Sequence, residues 1–202
     1  NETEYHSIEL KGNGWVQINQ ATNFNADNFT LQAWFSGSDT EISSAQTILS
    51  MISSSGDILI GIFKNPIYEN RLDIWIDNTP IDTIELPYEL ANIDSFNLIT
   101  VKSDVSTIDS SLISIDIFIN KTKILSENTS LDTLEIQGID FIIGGKVNNT
   151  HTYRDSFWYG CIDEIRLWNE ALPDTIIEYH NDYPDKLSFE SDTLTYNEYL
   201  QE

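Results

Sequence analysis

The stretch ISIDIFIN, residues 113–120, alternates without a break. Successive side chains of an extended chain point to opposite faces. Ile113, Ile115, Ile117 and Ile119 therefore share one face, and Ser114, Asp116, Phe118 and Asn120 share the other. A helix would scatter those isoleucines around its surface, so the run predicts a strand with one apolar face. The same period governs RLDIWIDN (71–78), where Leu72, Ile74 and Ile76 oppose Asp73, Trp75 and Asp77. In FTLQAWF (29–35), Phe29, Leu31, Ala33 and Phe35 oppose Thr30, Gln32 and Trp34.

Further runs of this kind lie at 7–10, 15–18, 47–52, 58–64, 81–86, 97–102, 141–143 and 157–168. Turn clusters separate them, among them Gly12-Asn13-Gly14, Ser55-Gly56-Asp57, Asn65-Pro66, Asp77-Asn78-Thr79-Pro80 and Gly144-Gly145. Many short strands with alternating faces predict an all-β fold, two antiparallel sheets packed as a sandwich. PDTIIEYHND (173–182) is the one good helix candidate. Pro173 suits a first turn, Asp174 suits the positive helix start, and Ile176, Ile177 and Tyr179 form an apolar stripe. Residues 1–182 read as one sandwich domain. Residues 183–202 read as a polar, acidic tail, either an edge strand or a linker to a following module.

Acidic residues outnumber basic ones by 33 to 10, for a net charge of −23 over 202 residues. Such a surface repels phosphate backbones and anionic lipid heads, which argues against nucleic-acid and membrane-surface partners. Neutral glycans, divalent cations and basic proteins remain open, and solubility in an extracellular setting accounts for much of the charge. Cys161 is the single cysteine, so no disulfide forms within the chain. Among apolar neighbours it reads as a small buried residue, not a nucleophile. No apolar run is long enough to span a membrane, and residue 1 does not open a signal peptide. The chain reads as a module of a longer protein. Asn-x-Ser/Thr sequons at Asn28, Asn120, Asn128 and Asn148 carry little weight in a chain so rich in Asn and Thr.

GCIDEIRLWNEALPDTIIEYHN (160–181) resembles the closing signature of the laminin-G-like, concanavalin-A-like jelly-roll family, in which Gly, Ile-Asp-Glu, Arg-x-aromatic-Asn and Ala-Leu lead into a short helix. SIELKGNGWVQINQATNFNADNFTLQAWF (7–35) is similar to its opening strands, and FIIGG (141–145) to its penultimate strand. FNLITVKSD with SLISIDIFINKTKI resembles its central hairpin, with Phe96 where the family carries Trp and Asn120-Lys121 where it carries Asn-Gly. The resemblance spans residues 7–180. It implies a jelly roll with one short C-terminal helix. It also implies a mostly non-catalytic module, binding carbohydrate or another surface protein, in a secreted or cell-surface protein.

Hydrolases that resemble this fold carry a Glu-x-Asp-x-x-Glu strand, which is missing here. Asp73 and Asp77 lie four strand positions apart, about 13 Å, whereas a retaining carboxylate pair needs about 5 Å. Asp163 and Glu164 alternate faces. His6, His151 and His180 stand beside no Ser or Cys nucleophile motif. No enzyme is expected.

For a metal, the resemblance implies a structural Ca²⁺ held by Asp163 with the backbone of Gly12 and Asn13. Lys11 beside that turn opposes a dication, and Asp163 capping backbone N–H groups, or pairing with Arg166 or Lys11, is the alternative. Glu164 is expected to face solvent. For a sugar, a flat aromatic face beside acceptor side chains is the usual recognition unit. Trp75 between Asp73 and Asp77 fits it, unless a loop or edge strand covers the ring. Tyr153, Trp158 and Tyr159, around NNTHTYRDSFWYG (148–160), form a second candidate cluster. Trp15, Trp34 and Trp168 are expected to pack. Two functions follow: a carbohydrate-binding module, or an adhesive, structural spacer that contacts another surface protein.

Overall fold

A computed structural model describes residues 7–12, 14–18, 27–37, 45–53, 56–68, 70–86, 95–130, 140–145 and 157–184. In chain order the strands are β1 (Ile8–Lys11), β2 (Val16–Ile18), β3 (Phe29–Gly37), β4 (Gln46–Ile52), β5 (Ile58–Lys64), β6 (Arg71–Ile76) and β7 (Thr79–Glu85). They continue as β8 (Asn97–Val105), β9 (Leu112–Ile119), β10 (Thr122–Ser130), β11 (Asp140–Ile143) and β12 (Tyr159–Trp168), and the helix α1 (Asp174–Asp182) closes the series. The first sheet has the order β1-β12-β3-β8-β9-β10 and the second β2-β11-β4-β5-β6-β7, with antiparallel neighbours throughout. The predicted sandwich with one short helix is the observed fold.

The core lies where the alternating faces meet. Ile113, Ile115, Ile117 and Ile119 of β9 are buried in one cluster with Leu31, Ala33 and Phe35 from β3 of the same sheet and Leu72, Ile74 and Ile76 from β6 of the other. Phe29 meets Phe141 edge-on at 6.2 Å, tying the two sheets together. Each such side chain removes on the order of 2 kcal/mol worth of apolar surface from water. Two hairpins turn on asparagine. In β6–β7, Asp77 and Asn78 both take positive φ (49° and 57°), the mirror-image turn that matches strand twist. In β9–β10, Asn120 takes φ 55°, and its side-chain oxygen accepts the Leu98 N–H at 2.8 Å.

The pattern differs from expectation in three places. β10 runs on to Ser130, although ILSENTS has no apolar alternation, because an edge strand needs only one partner and one half-buried face. The outer face of the first sheet is covered: Phe118 is buried with Leu172, Ile176 and Ile177, and Trp168 packs alongside. The third buried place on α1 belongs to His180, not Tyr179, since positions 176, 177 and 180 share a helix face. Asp116 lies beneath the helix start. Lys123 and Lys102 approach it at 2.9 and 3.4 Å, and both also reach Asp174. Burial works to raise the Asp116 and Asp174 carboxyls, but hydrogen bonds from Ser126 and Lys123 to Asp116, bonds from both lysines to Asp174, and the lysine charges outweigh it and hold both low.

Asp163 and Glu164 stand side by side in β12 because the strand bulges there. Asp163 pairs with Trp34, yet the next register pair is Arg166 with Gln32, so one extra residue is taken up. Glu164 has φ 48°, and the Asp163 carboxylate accepts its N–H at 2.8 Å.

Candidate functional site

With α1 on the outer face of the first sheet, the second sheet presents the other broad surface. Register places Gln17, Ile142, Ser50, Gly61 and Trp75 in one row across β2, β11, β4, β5 and β6. Directly paired residues point the same way, so this row faces outward, opposite the core residues Ile143, Leu49, Ile62 and Ile74. Its middle is apolar and buried: Ile52, Ile58, Phe63 and Ile142 form a cluster of their own. Gly61 leaves the room that Phe63 uses, since a Cβ there would lie 2.5 Å from the Phe63 ring.

Trp75 forms one rim. It is partly buried and meets Phe63 edge-on at 6.2 Å and 80°. Asp73 stands two positions away on the same face, as the alternation predicts. Its carboxylate accepts both Asn65 Nδ2 (3.0 and 3.1 Å) and Thr83 Oγ1 (3.0 Å), which fixes its direction from β7 and from the β5–β6 loop. Asp77 does not complete the flank. It lies outside β6, at the first turn position with φ 49°, so strand alternation no longer sets its direction.

Of the second predicted cluster, Trp158 and Tyr159 do not form a shared exposed face. Trp158 is a core residue, 1% exposed, with its ring edge-on to Phe35 at 5.6 Å and its indole N–H donated to the Ser36 carbonyl at 3.1 Å. Tyr159 lies on the far sheet, paired with Lys11, and its ring covers Gly12 so closely that a Cβ there would sit 1.9 Å from it. Tyr153 lies outside the described residues.

Of the residues proposed for calcium, Asp163 and Gly12 lie apart along β12. The Gly12 N–H bonds the Trp158 carbonyl at 3.2 Å, so the turn sits opposite Trp158, five positions from Asp163 on β12. Five strand positions span about 16 Å, whereas calcium ligands lie about 2.3–2.6 Å from the ion. Asp163 takes its alternative role as a backbone cap, Lys11 pairs with Glu9 at 3.1 Å, and Arg166 pairs with Glu164 at 2.8 Å. Asn13 lies outside the described residues. Among the described residues, no three His, Cys, Asp or Glu side chains converge.

The other rim escaped the sequence reading. Trp15, expected to pack, is 44% exposed. It stacks on Phe157 at 6.0 Å and 27°, and its indole N–H donates to Gln17 Oε1 at 3.3 Å. Gln17 Nε2 in turn donates to Asp140 Oδ2 at 3.0 Å. An indole with an amide and a carboxylate in sequence is a polar-edged aromatic platform. Trp34 is partly buried, and Trp168 packs against α1, as expected.

Residues 10–178 match the family described as the concanavalin A-like lectin/glucanases superfamily, laminin G type. No curated protein sequence matches the chain. Among solved structures, a native heptameric SAP-like pentraxin from Limulus polyphemus is similar at 12% identity and a TM-score of 0.53, over 90% of this chain and 78% of that one. Trypanosoma rangeli sialidase in complex with sialic acid is similar at 14% identity and a TM-score of 0.63, over 89% of this chain. The match spans only 27% of the sialidase chain. A Bacteroides ovatus protein proposed to bind carbohydrate is similar at 15% identity and a TM-score of 0.56, over 85% of this chain and 45% of that one. At these identities the likeness is one of fold.

Proposed function

Because the chain belongs to the concanavalin A-like lectin/glucanase superfamily, we propose that it is a non-catalytic carbohydrate-binding module of a secreted or cell-surface protein, and that its ligand lies along the outer face of the second sheet. One observation carries the reading: Trp75 stands partly exposed on that face beside an Asp73 carboxylate held in place by Asn65 and Thr83. An indole face packs against the CH face of a sugar, while an oriented carboxylate accepts its hydroxyl protons. The burial of Ile52, Ile58, Phe63 and Ile142 behind it gives the ring a rigid backing, which lowers the ordering cost on binding.

The non-catalytic part of the reading is supported by the engagement of the acids on this face. Asp73 and Asp140 each accept hydrogen bonds from neighbouring side chains and belong to opposite rims, with two strands between theirs. The acidic surface supports a place outside the cell and a ligand without negative charge. A glycan array followed by titration of the best ligand into wild type and Trp75→Ala tests the proposal. Binding that weakens about 10-fold or more in the variant supports it. An array without a single binder removes it and favours the adhesive spacer.

A further inference from the structure

We propose that Trp15, Gln17 and Asp140 form a second carbohydrate subsite, at the opposite rim from Trp75, and that this subsite takes a neutral sugar ring. The inference rests on the reading of the module as carbohydrate-binding and adds a place and a ligand class to it. Trp15 is held from two directions. Phe157 stacks against the ring at 6.0 Å, and the base of the side chain rests on Gly145, where an added Cβ would lie 1.9 Å from the Trp15 Cβ. With Phe157 stacked against the ring, 44% of the residue still stands open to solvent.

The polar edge is equally fixed. The indole N–H donates to Gln17 Oε1 (3.3 Å), which orients the amide, and the amide N–H₂ donates to Asp140 Oδ2 (3.0 Å), which orients the carboxylate. Amide and carboxylate therefore stand side by side, one with donors and an acceptor, the other an acceptor. Adjacent hydroxyls of a pyranose ring stacked on the indole match that pair. Ordering the platform before binding removes a cost that a mobile tryptophan would incur. A carboxylate at the platform edge, in a chain of net charge −23, disfavours uronic and sialic acids.

Position adds a consequence. Gln17 and Trp75 occupy the same outward row, four strand spacings apart, or about 19 Å. An extended oligosaccharide that engages one rim reaches the other as a tethered ligand, so the two subsites reinforce each other without a new contact.

The test screens wild type on an array of neutral and acidic oligosaccharides, then titrates the strongest neutral ligand into wild type, Trp15→Ala, Trp15→Phe and Trp75→Ala by calorimetry. Trp15→Ala should lose about 10-fold or more in affinity, and Trp15→Phe, which keeps a ring face, should recover most of it. Asp140→Asn should raise the response to acidic array members about 3-fold or more. Thermal melts of each variant guard against a folding defect, and the difference between the Phe and Ala variants reads the ring face directly. A Trp15→Ala variant that titrates like wild type overturns this subsite while leaving the Trp75 reading intact. An array whose binders are all acidic overturns it likewise. An array with no binder at all overturns both.

Discussion

His180 Nδ1 lies 2.9 Å from Gln32 Oε1, beneath α1 on the outer face of the first sheet. The amide oxygen can only accept, so Nδ1 carries the proton and the ring is the neutral Nδ1–H tautomer. Gln32 Nε2 donates onward to Thr100 Oγ1 at 3.1 Å, and the imidazole stacks on Trp168 at 5.2 Å. The helix is therefore docked through a neutral histidine.

The first prediction concerns pH. Burial, and then the charge of Arg166, hold His180 down to about 4 from an ordinary 6.5. The unfolded chain takes up a proton near 6.5 and the folded chain only near 4. The stabilisation is thus complete above about 6.5 and is lost as pH falls towards 4, by at most about 3 kcal/mol. Urea midpoints at pH 7 and pH 4.5 should drop in wild type and drop less in His180→Gln. Equal drops in both would remove His180 as the cause.

The second prediction concerns the ion cluster under the helix start. Asp116 accepts Lys123 at 2.9 Å and Ser126 at 2.6 Å, and faces Lys102 at 3.4 Å. Asp116→Ala leaves Lys123 and the largely buried Lys102 with Asp174 as their one remaining carboxylate, and should cost about 2–3 kcal/mol. An exposed pair such as Lys11 with Glu9 should cost less than about 1 kcal/mol when broken. Denaturant melts of Asp116→Ala and Glu9→Ala compare the two.

The third prediction separates packing from binding at Trp75. The ring is partly buried against Phe63, so Trp75→Ala should cost about 2 kcal/mol of stability, less than a fully buried tryptophan. Trp158→Ala should cost about 3–5 kcal/mol. If the two variants melt together, Trp75 is a core residue and its proposed contact with sugar falls.

The fourth prediction addresses calcium. Asp163 and the Gly12 turn lie at opposite ends of the β1–β12 pairing, so any rise in melting temperature on adding Ca²⁺ should be the same in wild type and Asp163→Asn. Loss of that rise in the variant would mean that Asp163 does ligate calcium.

The fifth prediction concerns Cys161. It sits partly buried within β12, between Glu9 on β1 and Ser36 on β3. A thiol-specific disulfide reagent should label the native protein more slowly than the denatured one. Equal rates would place the thiol in full solvent.

What the sequence made legible follows from local geometry. The isoleucines of β9 and the inward face of β6 were readable because alternation alone decides their side, and Trp75 and Asp73 were readable for the same reason. Asp77 was not, because a hairpin turn ends the alternation one residue earlier than the pattern suggests. The separation of Asp163 from Gly12 depends on which residue of β1 faces which residue of β12, a long-range choice that no local pattern encodes. Trp15 was misread for a related reason. Its exposure depends on β2 being a three-residue strand at the sheet edge, and its partners Gln17, Asp140 and Phe157 come from three separate parts of the chain. Trp158 precedes its strand, so alternation had nothing to say about which way it turned.

The pairing of β1 with β12 has a mechanical consequence. Ile8 faces Ile162 and Lys11 faces Tyr159, so the chain enters β1 and leaves β12 from the same end of the sheet. Tension applied through the chain ahead of β1 would load the Ile8–Ile162 rung first, so the four rungs would open one after another. The ladder would yield at low force, β1 first, while the helix held by His180 and Asp116 stays seated. A single-molecule pulling trace with an early, small extension step is the observable.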